Sequence, residues 1–499
     1  MANKSIIIIG SGLAGLSAGC YAQMNGYHAH IFEYHDKPGG VAAWWERQGY
    51  LIDDGIHFLM GAKPGQPTHN MYRELGTAQA GSLVKMTSYG RFIDEQSSRI
   101  VDVTKDLGRL ARELKAFSTE DASTIDDFIR GSRAMQGYDM GSMGKPPELM
   151  SARDKLSMAW KMRSTLKYFT AKYASPIADY VKAIHDPWLR RLMENLFLPE
   201  VPVWFVFALL GMVSDGQMVL LKGGCRGFVL PIEKRFKELG GEVTYKATVQ
   251  EILVENERAV GVRLADGSVH RADIIVSAAD GYSTIFKMLG GRYADERIKS
   301  HYEKWQLIRP AVLVSFGVAR EFKGEPHLSF IALKDPVAVG AKAISGVSLR
   351  ILNYGDEFAP PGKTVVQVMF ETDWDYWNEL HGDKSRYEAE KKRVADEVLK
   401  RLESYYSGIS SQVEMTDVAT PYTTWRYTMN HKGAYMGWLP TAEVIMTRME
   451  RTLPGLANFY MAGQWIVPGG GVPPSLYSGR QLVQILCHQD EKPFVTATK

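Results

Sequence analysis

The stretch IIIIGSGLAGLSAGCYAQMNGYHAHIFE, residues 6–33, decides the fold. Its four isoleucines predict a fully buried parallel strand, and an alanine-rich helix follows the glycines Gly10, Gly12 and Gly15. A second predicted strand ends on Glu33, at the spacing where an acid binds the ribose in dinucleotide-binding folds. This order predicts a Rossmann-type unit for a nucleotide with an unphosphorylated ribose, as in FAD or NAD.

The glycine turn has a physical purpose at each position. Gly10 permits the tight turn, Gly12 lets a diphosphate approach the backbone, and Gly15 brings the helix close to the strand. Leu13 and Ala14 lie at the start of the helix, where backbone N–H groups and the helix dipole favour an anion. We therefore predict that all five residues bind the cofactor.

Composition narrows the class of protein. The chain has 499 residues, enough for two or three domains, and its net charge of +3 argues against nucleic acid as the main partner. The three cysteines show neither disulfide nor metal-binding spacing, so we predict a cytoplasmic setting and no metal site. The longest apolar stretch, residues 201–213, is shorter than the roughly 20 residues that cross a bilayer.

The next segment, YHDKPGGVAAWWERQGYLIDDGIHF (34–58), carries a second glycine turn and then a short strand that ends in Asp53-Asp54-Gly55. An acid, a Pro-Gly-Gly, an aromatic patch and an Asp-x-Gly loop in this order resemble the FAD-dependent amine-oxidase superfamily. The resemblance is to its branch of phytoene desaturases, carotenoid isomerases and retinol saturases. It implies that Gly39 and Gly40 bind FAD. Val41 departs from the arginine that many superfamily members have at this place.

Two later blocks, residues 222–280 and FYMAGQWIVPGGGVPPSLYSGR (459–480), resemble the middle and closing motifs of that branch. By position, the resemblance implies that Val249 contacts the adenine and Gly463 the diphosphate or ribitol. Gly471 and Val472 would begin a helix whose N-terminus faces the flavin ring. Because the closing motif has no cysteine, we expect the FAD to be bound non-covalently.

The same resemblance, with the pattern of predicted helices and strands, implies an α/β protein with two domains. A discontinuous Rossmann-type FAD-binding domain would comprise residues 1–90, 220–300 and 450–499. Residues 91–219 and 301–449 would form an inserted substrate domain with a mixed sheet and a helical cap.

Catalytic candidates follow from position in these motifs. His57 lies two residues after Gly55, in the loop expected near the flavin ring, and could polarise the flavin or act as an acid or base. Tyr427 and Trp465 are expected to line the face opposite the flavin. Arg426 is a weaker candidate for binding a polar end of the substrate.

The sequence therefore predicts an FAD-dependent oxidoreductase that desaturates, saturates or isomerises C=C bonds of a hydrophobic polyene, terpenoid or lipid by hydride transfer at flavin N5. Two alternatives stay open: a flavin amine or amino-acid oxidase, and a non-catalytic prenyl-binding protein of the GDP-dissociation-inhibitor type. The electron acceptor is left open. Residues 151–173 carry six Lys and Arg and one Asp among apolar residues, which fits either peripheral contact with a membrane or a cap helix packed on the core.

Overall fold

The computed structural model describes residues 4–139, 144–447 and 449–497. Residues 1–3 and 498–499, at the ends of the predicted FAD-binding segments, lie outside the described part of the chain.

In chain order the strands are β1 Ser5–Ile9, β2 His28–Phe32, β3 Ala43–Arg47, β4 Tyr50–Asp54, β5 Leu83–Lys85, β6 Ser88–Asp94, β7 Arg99–Thr104, β8 Val219–Leu221, β9 Glu242–Thr244, β10 Val249–Glu255, β11 Arg258–Leu264, β12 Val269–Arg271, β13 Ile274–Ser277, β14 Ala311–Val318, β15 Leu328–Val339, β16 Lys342–Ile351, β17 Thr364–Glu371, β18 Val413–Ala419 and β19 Phe459–Met461. The α-helices are α1 Leu13–Met24, α2 Pro67–Glu74, α3 Leu107–Phe117, α4 Ala122–Ala134, α5 Ala152–Met162, α6 Ile177–Tyr180, α7 Pro187–Glu194, α8 Val203–Ser214, α9 Gly224–Glu238, α10 Glu296–Lys304, α11 Trp374–His381, α12 Lys384–Tyr405, α13 Pro421–Thr428, α14 Ala442–Met446 and α15 Val472–Gln489.

A parallel five-stranded sheet, ordered β19-β13-β1-β2-β9, forms the nucleotide-binding half of the molecule. The isoleucines of β1 are buried on both faces of this sheet. Ile6 and Ile8 pack with α1 and α15, whereas Ile7 and Ile9 pack with residues of β10, β11 and β13. Burial on both faces explains why β1 is a continuous β-branched run, as in other parallel sheets.

A mixed seven-stranded sheet, ordered β18-β14-β17-β16-β15-β6-β7, forms the second half. Its neighbours are antiparallel except β6 and β15. Helices α3 to α8 lie between β7 and β8 in the chain and build the cap around their own apolar core. The prediction of an α/β fold with a Rossmann-type sheet, a mixed sheet and a helical cap is confirmed.

Two boundaries differ from the sequence prediction. The sequence pattern predicts one continuous strand over residues 243–254. The structure instead divides them between β9 in the parallel sheet and β10 in an antiparallel sheet with β11 and β12. The chain turns at Lys246, which has a φ of 55°. The predicted boundary at residue 90 falls inside β6, which belongs to the seven-stranded sheet.

Candidate active site

A cavity of about 1860 Å³ extends from the carboxyl ends of the parallel strands to the mixed sheet and the cap. Small-molecule sites usually measure about 300–1,000 Å³, so this cavity has room for more than one drug-sized ligand. Its walls include the ends of β1, β2 and β13, the position at which α/β sheets bind nucleotides.

Two glycine turns lie backbone against backbone at the nucleotide end of the cavity. Gly12 forms an isolated parallel bridge with Gly39, whose N–H donates to the carbonyl of Ser11 at 3.0 Å. A Cβ at Gly12 would meet protein atoms only at 3.9 Å and beyond, because this position faces open cavity. A Cβ at Gly15 would instead overlap the carbonyl oxygen of Gly10. The two glycines therefore have different roles: Gly12 leaves space for a ligand, and Gly15 allows α1 to pack against the turn.

Glu33 is buried beside the first glycine turn. One carboxylate oxygen, Oε2, accepts from the backbone N–H of Ser11 at 2.6 Å and from its hydroxyl at 2.7 Å, and Oε1 accepts from the N–H of His35 at 2.8 Å. Since a carboxylate offers about four acceptor positions, Oε1 keeps one for a ribose hydroxyl. These contacts hold the acid at the cavity wall.

The closing motif completes this end of the cavity. Gly463, Gly469, Gly470 and Gly471 all have positive φ values, from 53° to 104°, which favour glycine. Gly471 precedes α15, and no protein atom lies within 4 Å of the place where its Cβ would be. The N–H of Gly463 donates to Ser478 at 2.8 Å and is therefore already used within the protein.

The residues present fit FAD. The cavity brings together two glycine turns without Cβ atoms, an acid with a remaining acceptor position, and a helix N-terminus at Gly471 and Val472. Val249, at the start of β10, lines the same cavity and provides an apolar surface for a base. No described cysteine lines the cavity.

Beyond the nucleotide end, two acids at the end of β4 and a histidine in the loop that follows it lie at or beside the cavity. Asp53 is buried and contacts the Arg350 guanidinium at 3.3 Å and the N–H of Cys225 at 2.6 Å. Asp54 and His57 line the cavity. Burial, with a smaller effect of Arg350, lowers the pKa of His57 well below its usual value, so this imidazole is neutral at pH 7.

The cap supplies an apolar lobe of the cavity. The helix α8 is apolar all around, which is typical of a buried helix. The apolar lobe is lined by residues of α8 and its surroundings: Phe58, Tyr89, Phe197, Trp204, Phe205, Ala208 and Met212.

Tyr427 and Arg426, two candidates from the sequence, both line the cavity. Tyr427 is 43% exposed, and its ring lies 5.2 Å from that of His35, two residues after Glu33. The carbonyl of Arg426 accepts from Tyr34 at 2.9 Å. Because α13 packs on the loop after β2, both residues lie beside the nucleotide end of the cavity.

Trp465 lines the cavity and is almost fully buried. Its Nε1 donates to Asn430 at 3.3 Å, and its ring packs at 5.3 Å from that of Trp438. These contacts hold the closing loop against the segment after α13.

Sequence reasoning missed a polar group on the opposite wall. Arg309 forms ion pairs with Glu200, at 2.7 Å, and with Glu371. The hydroxyl of Tyr435 lies in the same part of the cavity, where burial, with Glu371 and Asp54, raises its pKa. These residues come from separate segments without a local motif, and only Asp54 had a local signal, its place inside the Asp-x-Gly loop.

The sequence profile of the flavin containing amine oxidoreductases matches residues 13–487. The chain belongs to this family. It is therefore an FAD-dependent oxidoreductase, which confirms the predicted cofactor and enzyme class and argues against the non-catalytic prenyl-binding alternative. None of the described helices combines the length and the apolar composition needed to cross a membrane.

Relatives within the family place the chain in the predicted branch. It is 26% identical to a chloroplastic prolycopene isomerase of Daucus carota over 95% of this chain and 78% of that protein. It is 25% identical to a lycopene-forming phytoene desaturase of a Paracoccus species over 97% of both chains. The crystal structure of an oxidoreductase from Methanosarcina mazei shares the fold, with a TM-score of 0.62, 17% identity and coverage of 96% of this chain and 100% of the other.

Proposed function

We propose that this FAD-dependent oxidoreductase forms, reduces or isomerises C=C bonds of a hydrophobic polyene, terpenoid or lipid. The observation that carries the proposal is that the glycine-lined nucleotide site and the apolar lobe belong to one cavity. A long apolar chain could reach the flavin end through this lobe. The names of the relatives, a phytoene desaturase and a prolycopene isomerase, support the same substrate class.

In this proposal the FAD-binding residues are those that line the nucleotide end: Gly10, Gly12, Leu13, Ala14, Glu33, Gly39, Gly40, Val249, Gly463, Gly471 and Val472. Gly15 acts indirectly, by letting α1 approach the turn. The FAD-binding domain would comprise residues 1–90, 220–300 and 450–499, with the first boundary moved to precede β6.

When bound, FAD supplies a two-electron acceptor or donor at its ring. The protein orients the polyene and excludes water, which is the role of the apolar lobe. His57 and Trp465 are proposed to contact the reacting segment because both line the cavity, and the neutral ring of His57 offers one N–H donor and one acceptor nitrogen there.

The test begins with the visible spectrum of the purified protein and heat release of the cofactor. We expect two flavin bands and free FAD in the supernatant. Anaerobic addition of polyenes, and in parallel of amines and amino acids, then shows which class bleaches those bands. Bleaching by amines alone would replace the polyene proposal with the amine-oxidase alternative.

We also propose that residues 151–173, the basic segment, rest on an anionic membrane surface. No residue of α5 is buried, and its large apolar side chains Leu156 and Trp160 are 73% and 68% exposed. These two side chains lie four residues apart on one helical face, among six Lys and Arg, and this pattern complements anionic lipid.

The basic segment is also connected to the cavity by aromatic rings. Phe169 packs at 6.2 Å from Tyr138 and at 5.1 Å from Trp204, and both of these residues line the cavity. A lipid-soluble substrate would thus enter the apolar lobe beside the membrane contact.

Sedimentation with phosphatidylcholine vesicles, with and without phosphatidylglycerol, tests this contact. We expect binding to the anionic vesicles that weakens with salt and falls roughly fivefold or more in a Leu156→Ser/Trp160→Ser variant. The control Val269→Ser removes an exposed apolar side chain on β12, outside the basic segment, and should bind normally. Equal binding by all three proteins would contradict the contact.

A further inference from the structure

Two consecutive aspartates at the end of β4 face opposite sides of the strand, as the period of two requires. Asp53 is buried, and its carboxylate is used by Arg350 and by the N–H of Cys225. Asp54 lines the cavity instead. Within the described part of the chain, no residue donates a hydrogen bond to the Asp54 carboxylate, so the fold makes no visible use of it.

The neighbouring strand of the hairpin, β3, offers the Asp54 carboxylate no polar partner. Asp54 pairs in register with Ala43, a small cavity-lining residue that has no polar group on its side chain. Gly55 follows with a φ of 131°, and a Cβ there would overlap the carbonyl of Val41. The turn at Gly55 therefore holds Asp54 against the segment that follows the second glycine turn.

The titratable neighbours of Asp54 come from its own strand and from β16, α9 and the loop after α13. Arg350 and Asp53 lie behind it, the thiol of Cys225 donates to its backbone carbonyl at 3.6 Å, and Tyr435 faces it. Burial raises the pKa of Asp54 to about 6, an effect that Arg350 opposes and Asp53 reinforces.

Three titratable groups near Asp54, those of Cys225, Tyr435 and His57, do not change charge near pH 6. Burial, reinforced by neighbouring acids, raises the pKa of the Cys225 thiol and of the Tyr435 hydroxyl, and His57 stays neutral because burial lowers its pKa. Asp54 is thus a cavity carboxylate that passes between its acid and base forms near neutral pH.

We propose that the Asp54 carboxylate is a catalytic base, which accepts the proton that leaves the substrate when a C–C single bond becomes a double bond. The inference rests on the proposed function and adds a named proton acceptor to it. His57, the candidate from the sequence, then has a positioning or polarising role at the same end of β4.

The balance of the step requires such a base. One C–H bond breaks and its hydrogen leaves with both electrons, for which bound oxidised FAD is the acceptor. The neighbouring C–H bond breaks, its electron pair becomes the new π bond, and its proton goes to the Asp54 carboxylate. The substrate loses two electrons, and Asp54 later releases the proton to water through the cavity.

The decisive experiment measures the anaerobic bleaching rate of the FAD-loaded protein by a polyene across the pH range. In the wild-type chain the rate should rise as the pH passes about 6, since the base form of Asp54 is needed. Asp54→Asn should lower the plateau rate roughly hundredfold and remove this pH dependence, and Asp54→Glu should restore part of both. The control Glu388→Gln removes a carboxylate from the cavity rim and should keep the wild-type profile.

A second measurement does not depend on turnover. Because the pKa of Asp54 is raised in the fold, its ionisation costs stability, so the wild-type chain should lose stability relative to Asp54→Asn between about pH 4 and pH 7. Thermal unfolding of the two FAD-loaded proteins should therefore diverge over this range, with Asp54→Asn the more stable at high pH, and FAD content should be equal.

The outcomes separate this inference from the proposed function. Wild-type bleaching that persists with the same pH profile in Asp54→Asn would overturn the role of Asp54 and leave polyene oxidation intact. If no polyene bleaches the wild-type protein, both fail. Parallel melting curves for the two proteins at all pH values would show that Asp54 does not titrate as inferred, and this too would overturn it.

Discussion

The two ends of the cavity are built in different ways. At the nucleotide end, Gly12 and Gly471 present bare backbone to the cavity, and each belongs to a short continuous motif. At the reaction end, side chains such as Asp54 and Trp204 come from segments far apart in the chain. Function at the nucleotide end depends on steric access to the backbone, whereas function at the reaction end depends on the chemistry of individual side chains.

The difference predicts how each end responds to substitution. A methyl group at Gly12 would fill the space that a cofactor is proposed to occupy, so a small change there should have a large effect on binding. A changed side chain at the reaction end leaves both fold and cofactor in place and alters only the reaction.

The largest effect should come from Gly12→Ala. The added methyl meets no protein atom closer than 3.9 Å, so the fold should persist, but it points into the cavity where the diphosphate is proposed to lie. We expect FAD binding to weaken roughly hundredfold, about 2.8 kcal/mol, as measured by titration of the apoprotein.

Gly81→Ala is the matched control, because the space around Gly81 is open and the residue does not line the cavity. Normal FAD binding by Gly12→Ala would contradict this difference between the two ends, since it would mean that steric access at this turn does not limit FAD binding.

His57→Ala should have an intermediate effect. Its neutral imidazole lines the cavity beyond Gly55, and no described side chain depends on it for a hydrogen bond. We expect unchanged FAD content and turnover lowered roughly tenfold, about 1.4 kcal/mol. Unchanged turnover in the flavin-loaded variant would remove His57 from the reaction end.

Tyr427→Phe should have the smallest effect. The ring packs on His35 at the nucleotide end and is 43% exposed, and phenylalanine keeps this contact. Turnover and FAD affinity should each change less than about twofold. A large loss of turnover at normal FAD content would instead support the sequence-based prediction that Tyr427 lines the face opposite the flavin.

Local patterns predicted much of the fold and most of the nucleotide end. The isoleucines of β1 and the apolar run of α8 were recognisable because burial on all sides leaves no polar position. The break between β9 and β10 was missed, since both are strands by composition and only their sheet partners differ. The contact of Tyr427 with the loop after β2 was not predicted, because the direction of α13 depends on packing against that loop.

The sequence by itself determined the Rossmann-type unit, the glycine turns that line the cavity and the family, because these depend on residues close together in the chain and on backbone conformation. Tertiary structure alone decided which of two adjacent aspartates is neutralised by Arg350 and which is left facing the cavity. It also decided that Arg309, Glu371 and Tyr435 share one wall. Burial and neighbouring charge control the chemistry of such groups, and both arise only when distant segments pack together.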